Sequence, residues 1–113
     1  MGLWRQAADK GHAPAEGELA RAYMYGLGVE KDYDAALRLA RRAADKGSAF
    51  GERYMGMLFA QGWGAPQDKR EAARWWAKSA AQGDEDAITN LRALAAAGMP
   101  EAAAALRRLR LAP

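Results

Sequence analysis

The 113-residue chain contains no cysteine and only one histidine, His12. The absence of cysteine excludes disulfides, thiolate nucleophiles and cysteine-based zinc sites, and leaves the redox compartment open. The single histidine has no nucleophile, orienting acid or second metal ligand at a suitable spacing. We therefore expect a protein without catalytic residues, without a metal site and without a cofactor.

The chain also lacks long apolar runs. No stretch approaches the roughly 18 apolar residues that a membrane-spanning helix requires, and the first residues contain no apolar core of a secretory signal. We expect a cytoplasmic protein by default, or a periplasmic or secreted one if the N-terminus has been truncated.

Aromatic residues make up only 9% of the chain, although apolar residues make up 50%. Much of the difference is alanine, the best helix former. This composition favours thin helices that pack closely together.

The sequence repeats every 36 residues. Glycines and aspartates recur in register on three grids, which are Gly11, Gly47 and Gly83; Gly26, Gly62 and Gly98; and Asp32 and Asp68. Such a period is typical of arrays whose small units bury their apolar faces only by stacking on one another. Residues 1–113 are predicted to form one domain with a partial unit at 1–10, units at 11–46 and 47–82, and a degenerate capping unit at 83–113.

Each unit is predicted to be a pair of helices joined by a glycine-rich turn. The expected first helices are 13–25, 49–61 and 85–97, the second helices are 33–46 and 69–82, and a capping helix covers 100–111. Small residues such as Ala20 and Gly56 allow a neighbouring helix to approach closely. The pattern predicts an all-α αα-solenoid.

Polar residues mark the helix ends. His12, Ser48 and Asp84 follow the glycines of the first grid and are predicted to be N-caps. Asp32 and Asp68 are predicted to cap the second helices, and the spacing Asp68-Lys69-Arg70-Glu71 is that of a capping box. Lys46 lies in a last helical turn, where a cation is favoured by the helix dipole.

The repeated motif reads Ala15…Leu19-Ala20…Tyr23…Gly26-Leu27-Gly28-Val29…Asp32…Ala36…Ala43-Ala44…Gly47. It resembles Sel1-like repeats, which are relatives of the tetratricopeptide repeat. The resemblance covers nearly the whole chain and implies αα-hairpins stacked into a right-handed superhelix. It also implies a non-enzymatic adaptor that binds a protein or peptide, and several bacterial members are exported or surface-associated. Some members carry a cysteine pair in each unit, and no role of those cysteines carries over here.

In arrays of this kind the first helices line the concave face. The residues predicted to lie on that face are Arg21, Met24, Tyr25, Phe50, Arg53, Met57, Gln61 and Thr89. Methionine and aromatic side chains offer adaptable contact area, and arginine offers planar donors to carboxylates. The alternative is that Met24, Phe50 and Met57 fill gaps between units and that both arginines are solvated surface charges.

Three tryptophans, Trp63, Trp75 and Trp76, raise the alternative of carbohydrate binding or of stacking on a ligand. Trp75 and Trp76 are predicted instead to pack a second helix against a first, and Trp63, between two turn glycines, to cap the hairpin edge or to contact a neighbouring unit. Trp4, in the partial unit, raises the hypothesis of self-association through an exposed stacking face.

A different class of function is nucleic-acid or other polyanion binding. The arginines that would carry it lie on the second helices and in the tail, at Arg38, Arg41, Arg42, Arg107, Arg108 and Arg110. They alternate with acidic residues, and the net charge of the chain is only +3. Nucleic-acid-binding proteins usually concentrate a larger excess in one patch, so a protein or peptide partner is the first prediction.

Overall fold

The computed structural model describes residues 11–111, which form six α-helices and no strand. The helices are α1 (Ala13–Tyr25), α2 (Tyr33–Asp45), α3 (Ala49–Gln61), α4 (Lys69–Ala81), α5 (Glu85–Ala96) and α6 (Pro100–Arg108). The predicted bounds of α1 and α3 are confirmed, and α2, α4 and α5 end one residue earlier than predicted. The capping helix α6 ends three residues earlier. The predicted partial unit at 1–10, with Trp4, lies outside the described residues.

The helices pack in chain order and form an elongated array of 41 × 24 × 18 Å. One core cluster lies among α1, α2 and α3 around Leu19 and Met55, and a second lies among α3 to α6 around Trp76 and Leu91. Met57 and Phe59 pack against both clusters. The core is therefore a continuous strip and not a single centre, as expected of an all-α solenoid.

Short polar side chains begin most of the helices. Asp32 caps α2, Ser48 caps α3, Asp68 caps α4 and Asp84 caps α5, each through a side-chain oxygen that accepts a backbone N–H. His12 holds the predicted N-cap position of α1, but its side chain does not accept a capping hydrogen bond. Proline in the first turn of α1 removes one of the N–H groups that a cap would satisfy.

The capping box at the start of α4 is only half formed. Oδ1 of Asp68 accepts from the N–H of Glu71 at 3.0 Å, but the Glu71 carboxylate accepts from Arg74 instead of returning to Asp68. The N–H of Asp68 donates to the carbonyl of Phe59 at 2.9 Å. Since this backbone group already has a partner in the preceding helix, the reciprocal bond of the box is not needed.

Two glycines of α3 allow the neighbouring second helices to come close. A Cβ at Gly51 would lie 2.5 Å from the backbone nitrogen of Ala44 and 2.7 Å from the Cβ of Ala43. At Gly56 the added atom would overlap the indole of Trp76, whose Nε1 donates to the carbonyl of Arg53 at 3.1 Å. The predicted role of Gly56 as a small packing residue is confirmed.

A buried carboxylate ties together the two helices of the first unit. Glu16 is fully buried, and its two oxygens lie 2.8 Å from Nε of Arg42 and 2.8 Å from Nζ of Lys46. Lys46 Nζ also donates to the carbonyl of Gly11 at 2.7 Å. Lys46 therefore does more than favour a helix dipole, because it links the end of α2 to α1 and to Gly11, two residues before α1.

The same tie recurs one repeat later with a neutral donor. Gln82 Nε2 donates to Oε1 of Glu52 at 2.7 Å and to the carbonyl of Gly47 at 2.9 Å. Glu52 is 7% exposed, and burial raises its pKa above the ordinary value, opposed by the hydrogen bond from Gln82 and the charge of Lys78. The contact is thus conserved in geometry between the two units but not in charge.

Within residues 11–111, every helix is too short or too polar to cross a bilayer.

We expect Gly51→Ala to lower the free energy of unfolding by about 1–3 kcal/mol, because the new methyl group overpacks the α2–α3 contact. Gly17→Ala is the matched control, since a Cβ there meets its nearest neighbour, Phe50, at an ordinary 3.4 Å. Its stability should be unchanged or should rise by at most about 1 kcal/mol from helix propensity. Urea unfolding measures both, and equal losses would contradict close packing at Gly51.

We expect Glu52→Gln to gain stability relative to wild type as the pH rises. Because the pKa of Glu52 is higher in the folded state than in the unfolded state, protonated Glu52 stabilises the fold at low pH. This stabilisation is lost as the pH rises through the folded-state pKa, which lies above the ordinary value of 4.5. The amide stays neutral and still accepts from Gln82. Urea unfolding at pH 4 and pH 7 tests this, with Glu30→Gln on the exposed α1–α2 loop as control. A difference that fails to grow with pH, or grows equally in the control, would contradict it.

Candidate functional site

A cleft of about 230 Å³ lies across the three first helices. Its lining comes from α1, α3 and α5 and consists of Arg21, Tyr25, Arg53, Tyr54, Met57, Asp86, Thr89 and Asn90. These helices are separated in sequence by the second helices, so the cleft exists only because the units stack. It combines aromatic and thioether surface with hydroxyl, amide, carboxylate and guanidinium groups.

The structure brings five of the eight predicted residues together in this cleft, which are Arg21, Tyr25, Arg53, Met57 and Thr89. Phe50 is 46% exposed and Gln61 is exposed, but neither lines the cleft. Met24 is 1% exposed and belongs to the core cluster of α1 to α3, so its predicted place on the surface is wrong. It fills space between helices, which is the alternative that the sequence left open.

Arg53 is already engaged by acidic residues of α5 and its cap. Its Nε lies 3.1 Å from Oδ2 of Asp84, and its Nη1 lies 3.6 Å from Oδ2 of Asp86. Its guanidinium also lies over the rings of Phe50 and Tyr54, at 5.6 and 4.9 Å from their centroids. Burial by itself lowers the pKa of Arg53, but the hydrogen bond to Asp84 and the negative charges of Asp84 and Asp86 outweigh burial, so the pKa is raised. Arg53 therefore joins α3 to α5 and shapes the cleft wall.

Arg21 is the exposed cation of the cleft. Its side chain leaves α1 beside Tyr25, and within residues 11–111 no carboxylate lies in ion-pair distance of it. The two arginines that the sequence treated as equivalent thus differ, because only Arg53 has acidic neighbours from the next unit.

Tyr54, Asp86 and Asn90 were missed by the sequence argument. Tyr54 is 5% exposed, and burial raises its pKa, opposed by the charge of Arg53, so that its hydroxyl remains protonated at neutral pH. Tyr54 and Asn90 are equivalent positions one repeat apart. The signal that could have found them is spacing, because Tyr54 and Asp86 lie three residues before Met57 and Thr89, and Asn90 lies four residues after Asp86, which places them on the same helix faces.

Comparison with protein families identifies the repeat. The model of the Sel1 repeat matches residues 1–12, 13–48 and 49–84. The chain belongs to the Sel1 repeat family. Sel1 repeats are generally protein-interaction modules, and their proteins are typically non-enzymatic scaffolds. No curated protein matches the chain.

Solved structures of Sel1-type proteins are similar to this chain. A protective antigen present in uropathogenic Escherichia coli strains, with an SLR fold, is 34% identical over 80% of this chain, with a TM-score of 0.75. A Sel1 repeat protein from Oxalobacter formigenes is 32% identical over 83% of this chain, with a TM-score of 0.76. The match spans only 20% and 27% of those two chains, respectively.

Trp63 and Trp76 of these Sel1 units serve packing, and Trp75 is partly buried against the core cluster of α1 to α3. Trp76 is 5% exposed and lies against Gly56. Trp63 contacts the preceding unit, where it stacks on Tyr33 at 5.1 Å with nearly parallel rings and meets the edge of Tyr25 at 6.2 Å. The prediction that Trp63 contacts a neighbouring unit is confirmed, and this aromatic group lies at the end of α1 near the cleft.

One of the arginines of the polyanion hypothesis is bound to a carboxylate of the chain itself. Arg42 is paired with the buried Glu16, whereas Arg38, Arg41 and Arg107 are exposed. Within the described part of the chain, no cluster of three or more histidine and acidic side chains is arranged to hold a metal ion.

We expect Arg53→Ala to lower the free energy of unfolding by about 1–2 kcal/mol, because it removes a largely buried charged hydrogen bond between α3 and the cap of α5. The control is Arg74→Ala, which breaks the exposed pair with Glu71 and should cost less than about 0.5 kcal/mol. Urea unfolding of both variants measures the effect. A loss in Arg53→Ala no larger than in the control would show that the pair is not structural.

Proposed function

We propose that this chain is a non-enzymatic protein-interaction module that holds a short peptide segment of a partner protein in the cleft of α1, α3 and α5. The observation that carries the proposal is that the three first helices contribute side chains to one cleft in which an exposed arginine, Arg21, lies beside aromatic and thioether surface. The family, whose repeats are generally protein-interaction modules, supports the same class of function.

Several residues of the cleft do not follow the repeat. Turn glycines and aspartate caps recur from unit to unit, but Arg21 is replaced by Met57 one repeat later, and Arg53 by Thr89. Where a packing position varies, as between Lys46 and Gln82, its hydrogen bonds are kept. Met57, by contrast, has no donor that could replace those of Arg21. The variation favours a surface adapted to something outside the array.

The size and polarity of the cleft limit what it accepts. A volume of about 230 Å³ is below the roughly 300–1,000 Å³ of small-molecule pockets. It suits one or two side chains of an extended peptide. Tyr54, Thr89 and Asn90 supply hydrogen-bonding groups for a peptide backbone, and Arg21 can donate to a carboxylate or a carbonyl.

We expect Arg21→Ala to weaken binding of the partner peptide about tenfold, which corresponds to about 1.4 kcal/mol, with an unchanged melting temperature. The partner is first identified by affinity purification from the source cell with mass spectrometry, and the peptide is mapped by truncation. Affinity is then measured by titration calorimetry.

The matched control is Arg41→Ala, an exposed arginine of the second helix α2 that does not line the cleft. It should leave the affinity unchanged. Equal affinities of Arg21→Ala and wild type for the mapped peptide would exclude the cleft as its binding site.

A further inference from the structure

A second groove, of about 480 Å³, lies on the side of the second helices, between α4 and α6. Apolar atoms of Trp75, Ala77, Ala81 and Leu109 form its floor. None of these residues lines the cleft of the first helices, so the two sites are separate.

The groove follows from the unequal lengths of the two helices. The first turns of α4 and α6 lie side by side, where Nε of Arg70 is 2.9 Å from Oε2 of Glu101. From there α4 continues for 13 residues and α6 for only 9. At 1.5 Å per residue the end of α4 extends about 6 Å beyond α6. The last turn of α4, which contains Lys78 and Ala81, is therefore left without a helix over it, and Trp75 lies one turn before it.

Cations surround this apolar floor. Nζ of Lys78 lies 4.5 Å from the ring centroid of Trp75, and Arg108 lines the groove at the end of α6. Arg108 is exposed and, within residues 11–111, forms no ion pair. The acidic residue of the lining, Glu71, is paired with Arg74 at 2.9 Å. Within residues 11–111 Lys78 also forms no ion pair, although its charge acts on Glu52, so Lys78 and Arg108 place two cations at the end of the groove.

We propose that this groove docks an acidic peptide segment of a partner protein, with an apolar side chain on Trp75 and Leu109 and carboxylates on Lys78 and Arg108. Charge complementarity selects this occupant, because a basic segment would be repelled by both cations and a neutral apolar one would leave them unpaired. The groove volume suits a bulky apolar side chain with its flanking residues. The site is independent of the cleft, so one chain can hold two partners.

The test uses the full chain and three fluorescein-labelled 12-residue peptides in fluorescence anisotropy. The first has aspartates and glutamates around a central Leu-Phe pair, the second replaces that pair with serines, and the third replaces the acids with their amides. Wild type should bind the first peptide saturably and the other two at least fivefold more weakly. Absence of saturable binding of the first peptide up to 1 mM, or equal binding of all three, would overturn the proposal.

The variant Lys78→Gln/Arg108→Gln should weaken binding of the first peptide about tenfold, and the matched control Arg38→Gln/Arg41→Gln should stay within twofold of wild type. Both variants change exposed residues, and circular dichroism checks their folding. Equal weakening in the control would show general attraction between charges and overturn the assignment.

Amide chemical shifts of wild type locate the peptide without any substitution. Shifts at the Trp75 indole, Ala81 and Leu109 support the groove, whereas shifts confined to Arg21 and Thr89 would place the acidic peptide in the cleft. A mixed single-stranded oligonucleotide serves as competitor. If it displaces the peptide from the groove and binds more tightly, the occupant is a nucleic acid and the proposal fails.

Discussion

The contact of α2 with α3, where the backbone of Ala43 and Ala44 passes against Gly51, fixes the distance between successive hairpins. Helices at this separation leave no room for a β-carbon, so the register of one hairpin on the next is set by where the small residues fall. Within each hairpin, buried Glu16 and Glu52 hold the two helices together through hydrogen bonds from Lys46 and Gln82. The cleft and the outer groove both depend on the register between hairpins, because each is lined by helices of more than one unit.

Much of the fold could be predicted because its signals are local. The glycines at the ends of helices adopt positive φ, and Ser48 and Asp68 accept backbone N–H groups as their type and position indicate. The predicted capping box failed because groups outside its four residues bind the same atoms. Glu71 is drawn to Arg74, and the N–H of Asp68 already donates to Phe59. A pattern of four consecutive residues contains no information about either partner.

The candidate site was predicted less completely, for two physical reasons. The face of a helix on which a residue lies can be predicted from sequence only to within about one residue, or 100° of rotation. Arg21 and Met24 of α1 lie within that uncertainty, but Arg21 is exposed and Met24 is buried. The repeat pattern also does not predict which charged side chains of different units form ion pairs. Arg21 and Arg53 have the same side chain, but Arg53 lies beside Asp84 and Asp86, whereas Arg21 has no ion pair within residues 11–111.

A repeat architecture can change its charges without changing its packing, and this chain shows how. Lys46 and Gln82 hold equivalent positions and make equivalent bonds to a glutamate and to a glycine carbonyl, although one is charged and the other neutral. Stacking depends on donor geometry and small side chains, and it tolerates either charge at that site. Selection for partners can therefore act on exposed charges such as Arg21 and Arg108 in one unit at a time, because the neighbouring units keep the fold.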